Sequence, residues 1–148
     1  GLAKLYTRGQ GGPKKLDEGL SILRKLGNGP NAKAQLALAK IYWRGRVVSK
    51  DSKKAEKWYR KAANRGSRTG MAALGFMYLK GRGIKQDYKN AANWLQKAAN
   101  KGHRNAQYLL GTLYDKGNGV SKDPALALSW FKKAASRGHK KAKKRLKM

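Results

Sequence analysis

The sequence predicts an all-α fold, a solenoid of stacked helix pairs, on three observations. The first is a period: Tyr42, Tyr78 and Tyr114 are spaced by 36 residues, and so are Gly45, Gly81 and Gly117, Asp51, Asp87 and Asp123, and Trp58, Trp94 and Trp130. Leu38, Ala55, the Lys61-Ala62-Ala63 triplet and Gly66 recur in the same frame, so ten positions are invariant across three copies. The second is that each copy carries two apolar stripes at helical spacing, such as Ala34, Leu38, Ile41 and Tyr42, then Ala55, Trp58, Tyr59, Ala62 and Ala63. The third is that no alternating stretch competes as a strand. A unit of this length cannot bury its own apolar face, and stacking on its neighbours is the remedy.

The elements follow in order from their end signals. Helices are expected over 2–8, 15–26, 32–44, 51–65, 69–80, 87–101, 105–116, 123–137 and 139–147. The loop Gly117-Asn118-Gly119-Val120-Ser121-Lys122 closes on Asp123-Pro124, an N-cap followed by proline at the first helical position. By register Asp51 and Asp87 cap in the same way, each worth ~1 kcal/mol. Gly66, Gly102 and Gly138 follow a basic last turn and suit left-handed helix ends. The small residues Ala39, Gly75 and Gly111, facing Ala55, Ala91 and Ala127, let two backbones approach, and Trp58, Trp94 and Trp130 fill the core between repeats.

The resulting division is a degenerate, truncated first repeat over 1–33, repeats over 34–69, 70–105 and 106–141, and a basic half-repeat or cap over 142–148, all in one solenoid domain. Leu2, Tyr6 and Gly9 stand in register with Leu38, Tyr42 and Gly45, so the chain enters in the middle of a first helix, as a piece of a longer array does. The first repeat is worn: Gly19 replaces the alanine, Ile22 the tryptophan, and Gly27-Asn28-Gly29-Pro30 cuts the second helix short.

Charge is the other conspicuous feature, with 36 Lys and Arg against 7 Asp and Glu, a formal net charge of +29. Such a field favours acidic partners, whether protein, nucleic acid or anionic surface, and serves solubility as well. Six of the eight residues from Lys140 to Lys147 are basic: Lys140, Lys141, Lys143, Lys144, Arg145 and Lys147. The absence of cysteine removes disulfides, thiolate metal sites and cysteine nucleophiles. No run of about 18 apolar residues offers a membrane span.

Catalytic chemistry is missing. His103 and His139 are the only histidines, occupy one repeat position, and have basic neighbours in Lys101, Arg104, Lys140 and Lys141. Asp17, Glu18, Glu56 and Asp115 are scattered, so no working carboxylate pair is expected. Gly81-Arg82-Gly83 and Gly117-Asn118-Gly119 are turns, since no strand precedes them and no Lys-Ser follows. No metal, no cofactor and no enzyme activity are expected.

The segment from Ala106 to Gly138, with Ala106, Leu110-Gly111, Tyr114, Gly117, Gly119-Val120, Asp123, Ala127, Trp130-Phe131, Lys133-Ala134-Ala135 and Gly138, resembles the Sel-one-like repeat, a cousin of the tetratricopeptide. The likeness covers nearly all of 34–146. It departs at Gly70, which replaces the opening alanine, at Arg46-Val47-Val48 in place of the glycine loop, and in the second helices, where Lys54, Lys57, Asn90, Asn93, Asn100 and Ser136 stand where the family commonly carries glutamate. The resemblance implies a right-handed superhelix of antiparallel helix pairs that recruits proteins or peptides. A bacterial periplasmic or secreted setting is likewise implied only by the family.

In such stacks the first helices line the concave face. Register then places Lys33, Leu36, Lys40, Trp43 and Arg44, next Thr69, Ala72, Phe76, Leu79 and Lys80, and last Asn105, Tyr108, Thr112, Asp115 and Lys116 in the groove. Apolar side chains there either furnish a peptide groove or pack against adjacent first helices. The expected function is a non-enzymatic scaffold or adaptor that binds an acidic protein or peptide on its concave face. The alternatives are a nucleic-acid or ribonucleoprotein component, held by phosphate contacts, and a binder of an acidic envelope polymer or anionic surface.

Overall fold

The computed structural model describes residues 12–147, with side chains from Leu16 onward. The helix expected over 2–8, with Leu2, Tyr6 and Gly9, lies outside the described residues. Among the described residues all regular structure is helical: α1 (Gly12–Gly27), α2 (Ala32–Arg44), α3 (Ser52–Asn64), α4 (Arg68–Lys80), α5 (Tyr88–Asn100), α6 (Arg104–Lys116), α7 (Pro124–Ser136) and α8 (Lys140–Leu146). α1 starts three residues ahead of expectation because Pro13 suits a first turn, where a missing N–H leaves no bond unmade. The chain divides into two compact units, the first ending at Gly70 and the second beginning at Met71.

In the first unit α2 packs on α1 and α3 packs back on α2. α2 ends on Gly45, held at φ 65°, and the connection closes where the Asp51 N–H donates to Tyr42 O at 3.0 Å. Asp51 then starts α3, its carboxylate accepting from the Lys54 N–H at 3.0 Å. Leu38, Ala39, Ala55 and Ala62 are fully buried. Gly27 is required here by packing, since a Cβ on it falls 2.9 Å from both Leu38 Cδ1 and Trp58 Cζ3. Gly70, the departure from the opening alanine, lies so close to α3 that a Cβ meets the Ala63 N at 2.8 Å.

The second unit repeats the scheme. The Asp87 N–H donates to Tyr78 O and the Asp123 N–H to Tyr114 O, and both carboxylates cap the helices that follow. Leu74, Leu95, Leu110, Ala98 and Ala134 are fully buried. The close approaches differ from expectation in their partners. A Cβ on Gly75 falls 2.6 Å from Leu95 Cγ, and one on Gly111 falls 2.7 Å from Phe131 Cε1. The small residues therefore receive the large side chains one turn beyond Ala91 and Ala127, interdigitating as close-packed interiors require.

The tryptophans also differ among themselves. Trp58 and Trp130 are buried, but Trp94 is only half-buried. Each carries the lysine of its own Lys-Ala-Ala triplet over the ring, Lys61, Lys97 and Lys133 at 4.8, 4.7 and 4.4 Å, a cation–π contact three residues along the helix.

Candidate partner-binding surfaces

Among the described residues a recess lies in the first unit, and it follows from how α2 is tied to α1. The α1 C-terminus leaves carbonyls that no helical N–H reaches. Buried Gln35 supplies a donor: its Nε2 donates to Gly27 O at 2.9 Å and to Gly29 O at 3.0 Å. At the other end of α2, Arg24 Nη2 donates to the Tyr42 hydroxyl at 3.0 Å. Asn31 starts α2, accepting from the Ala34 N–H at 3.0 Å.

Between these ties lies a groove of about 920 Å³. Leu23 and Leu26 of α1 form one wall, Lys33, Leu36, Ala37, Lys40, Ile41 and Arg44 of α2 the other, and Arg46 and Val47 close one end. The α2 residues recur three and four apart and so share one helix face. Lys33, Lys40, Arg44 and Arg46 are exposed, Leu26 is 46% exposed, and no acidic side chain among the described residues lines the recess. The chemistry is an apolar floor under a cationic rim. Beside it the Tyr59 hydroxyl is pushed above its ordinary pKa by burial, an effect that the positive charge of Arg44 opposes.

Four of the six groove residues expected in this unit, Lys33, Leu36, Lys40 and Arg44, line the recess. Trp43 lies outside the lining, and its ring carries the Lys50 ammonium at 5.2 Å. Thr69 is half-buried at the start of α4, away from the recess. The walls from α1 were not expected. Leu23 and Leu26 sit in the worn repeat, and their only signal was a three-residue spacing.

In the second unit the expected positions are put to mixed use. Ala72 is buried and offers no surface. Phe76 carries the Arg82 guanidinium at 5.8 Å, Leu79 is half-buried, and Lys80 is exposed. On α6, Asn105 and Lys116 are exposed, and the Thr112 hydroxyl donates back to Leu109 O. Tyr108 and Asp115 are taken up by α8. The Tyr108 ring stacks on His139 at 4.5 Å and tilts against Phe131 at 5.6 Å. Asp115 receives Arg145 Nη2 at 2.6 Å, and that guanidinium also lies 4.7 Å from the Phe131 ring. Of the expected basic patch, Lys140, Lys141, Lys143, Lys144 and Lys147 are exposed, whereas Arg145 is half-buried as the tie between α8 and α6.

The histidines have a structural role that the sequence signals did not separate from the rest of the repeat. Asn31, Ser67, His103 and His139 are spaced by 36, and each accepts from the N–H three residues on, at 3.0 to 3.2 Å. They are the N-caps of the first helices, with an imidazole Nδ1 serving in place of an oxygen. Among the described residues no group of three or more His, Cys, Asp or Glu gathers to hold a metal, and no helix is long and apolar enough to cross a membrane.

The Sel1 repeat family model matches residues 1–28, 32–67, 69–103 and 104–139. The chain belongs to the Sel1 repeat family. This is the Sel-one-like repeat that the 36-residue pattern resembles, and its members are all-α solenoid proteins. The crystal structure of a Sel1 repeat protein from Oxalobacter formigenes is similar over 86% of this chain and 96% of its own, at 40% identity and a TM-score of 0.79. The crystal structure of c5321, a protective antigen of uropathogenic Escherichia coli with an SLR fold, is similar over 98% of this chain, at 31% identity and a TM-score of 0.90. The chain spans 31% of that protein's length. Cysteine rich protein B of Helicobacter pylori matches 83% of the chain at 27% identity and a TM-score of 0.62. No curated protein matches the chain. Sel1 repeats generally mediate protein–protein interaction, and the family is one of non-catalytic scaffolds.

Proposed function

We propose that this Sel1 repeat chain is a non-enzymatic scaffold that captures an acidic, partly apolar peptide segment in the groove between α1 and α2. The observation that carries the proposal is the pairing of floor and rim. Leu23, Leu26, Leu36, Ile41 and Val47 supply apolar area, and Lys33, Lys40, Arg44 and Arg46 supply charge with no acidic lining residue to compete. An amphipathic ligand in such a groove gains affinity from its apolar anchors, while the rim steers its approach and selects its sign. The family's general role in protein–protein interaction supports the same reading. On the second unit, Phe76, Leu79 and Lys80 of α4 and Asn105, Thr112 and Lys116 of α6 remain partner-facing positions in this proposal.

The test is a titration of a fluorescent peptide of alternating Glu and Leu residues against the native chain, K40E/R44E, and the control K53E/K57E. Lys53 and Lys57 are exposed on α3 and do not line the groove. The groove variant is expected to bind about tenfold more weakly, ~1.4 kcal/mol, with the control near native. Equal weakening in both variants would assign the binding to the overall field and remove the groove from the account. Binding that persists at high salt would mark the apolar contribution, because screening suppresses the rim but not the floor.

A further inference from the structure

We propose a second binding surface, on the second unit: the exposed basic face formed by Arg104, Arg137, Lys140, Lys141, Lys144 and Lys147 binds the phosphodiester backbone of duplex nucleic acid, without reading sequence. Few groups neutralise charge in this unit. From Met71 onward the acidic residues are Asp87, Asp115 and Asp123. Asp87 and Asp123 accept from backbone N–H groups at helix starts, and Asp115 is paired with Arg145. No acid is therefore left to face the basic cluster.

Geometry gathers the cluster at the turn before α8. Arg104 Nη1 donates to Arg137 O at 3.1 Å, and the Arg137 guanidinium lies against Gly102, where a Cβ falls 2.8 Å from Nη2. Arg104 and Lys141 both act on His139, which starts α8. Lys140, Lys141, Lys144 and Lys147 then follow at helical spacing, so that the Cβ atoms of neighbours three and four apart stand about 5–6 Å from one another and the like-charged side chains share one face. Ala142, fully buried, and Arg145, paired with Asp115, anchor the helix and keep the lysines outward.

Among the described residues this face is uncovered: Arg104, Arg137, Lys140, Lys141, Lys144 and Lys147 are all exposed. Such a surface suits phosphates better than protein. Protein interfaces are depleted of lysine and need apolar anchors, and the one large apolar side chain exposed on α8 is Leu146. Duplex DNA carries a charge every ~1.7 Å of axis. An extended peptide, at about 3.3–3.6 Å per residue, carries at best half that density.

The test is fluorescence anisotropy with a mixed-sequence 20-base-pair duplex, the matching single strand and poly-glutamate, each from low to physiological salt. The proteins are the full chain, K140Q/K141Q/K144Q, and the equally discharged control K89Q/K122Q/K132Q. Native binding to the duplex is expected to fall steeply with salt, and the patch variant to lose up to ~2.7 from the log–log slope, about 0.9 per contact. The control is expected to keep the native slope, and circular dichroism verifies that each variant stays helical. Poly-glutamate binding as tight as the duplex would overturn the proposal in favour of an acidic protein. Equal losses in patch and control variants would overturn it in favour of a diffuse field.

Discussion

Leu36 on α2 and Tyr108 on α6 occupy the same repeat position, yet they meet opposite fates. Leu36 lines an open groove under a rim of exposed cations. Tyr108 is covered by His139 and Phe131, and the neighbouring Asp115 is neutralised by Arg145. The backbone grammar is the same in both regions: the Asp N-caps, the left-handed glycines and the buried leucine recur unchanged. What differs is the side chain offered to the neighbouring helix. The Tyr108 ring and the Asp115 carboxylate tie α8 to α6, whereas their counterparts on α2 are Leu36, which lines the recess, and Trp43, which lies outside its lining. In this chain the invariant positions build helix pairs, and the variable ones decide whether a face is closed or left for a partner.

The comparison breaks first if the shared grammar is removed. Trp130→Ala and Trp58→Ala empty buried sites in the second and first units, and each is expected to cost about 3–5 kcal/mol. Trp94→Ala, at the same repeat position but half-buried, is expected to cost distinctly less. Urea denaturation of the three variants checks the order. Equal losses for all three would mean that burial in this frame does not follow the exposure of the individual ring.

Helix boundaries were legible because their causes are local. Asp51, Asp87 and Asp123 each act on an N–H three residues away, and Gly45 and Gly117 take the φ that other residues avoid. The N-caps of the first helices were hidden although equally local, since asparagine, serine and histidine share an acceptor there and no common identity. That Lys33, Leu36, Lys40 and Arg44 share one helix face was legible too. The wall opposite them was not. Leu23 and Leu26 become a wall only where α1 packs on α2, a contact that Gln35 ties by donating to Gly27 O and Gly29 O. Tyr108 and Asp115 were recognisable as residues the repeat does not need, but their partners His139 and Arg145 lie about thirty residues away, beyond any local pattern.

A middle-sized effect sharpens the contrast between the two regions. Tyr108→Ala removes two ring contacts, each worth about 0.5–1.5 kcal/mol beyond the buried area. Faster amide hydrogen exchange is expected throughout α8, with α5 nearly unchanged. Leu36→Ala removes a half-buried side chain from an open recess and is expected to leave exchange in α1 and α2 near native while weakening the acidic peptide. If Leu36→Ala loosens α1 as much as Tyr108→Ala loosens α8, then Leu36 is packing and the groove loses its floor.

The smallest effect is a dependence on pH confined to the closed region. The His139 Nδ1 accepts from the Ala142 N–H at 3.2 Å, so its ring proton belongs on Nε2. Burial holds its pKa below the ordinary histidine value, and the charges of Arg104 on α6 and Lys141 on α8 push the same way. The Tyr108 ring covers one face, and the stack brings no carboxylate to offset those cations. The unfolded chain therefore takes up this proton first. The stability due to neutral His139 is fully present above about pH 6.5 and is lost progressively as pH falls toward the lowered folded value. His139→Asn keeps an N-cap acceptor without the titration, as Asn31 does on α2. Exchange in α8 followed from pH 7.5 to 5, corrected for intrinsic rates, is expected to show extra opening at low pH in the native chain and none in the variant. Coincident profiles would place the titration elsewhere and leave His139 a cap indifferent to pH.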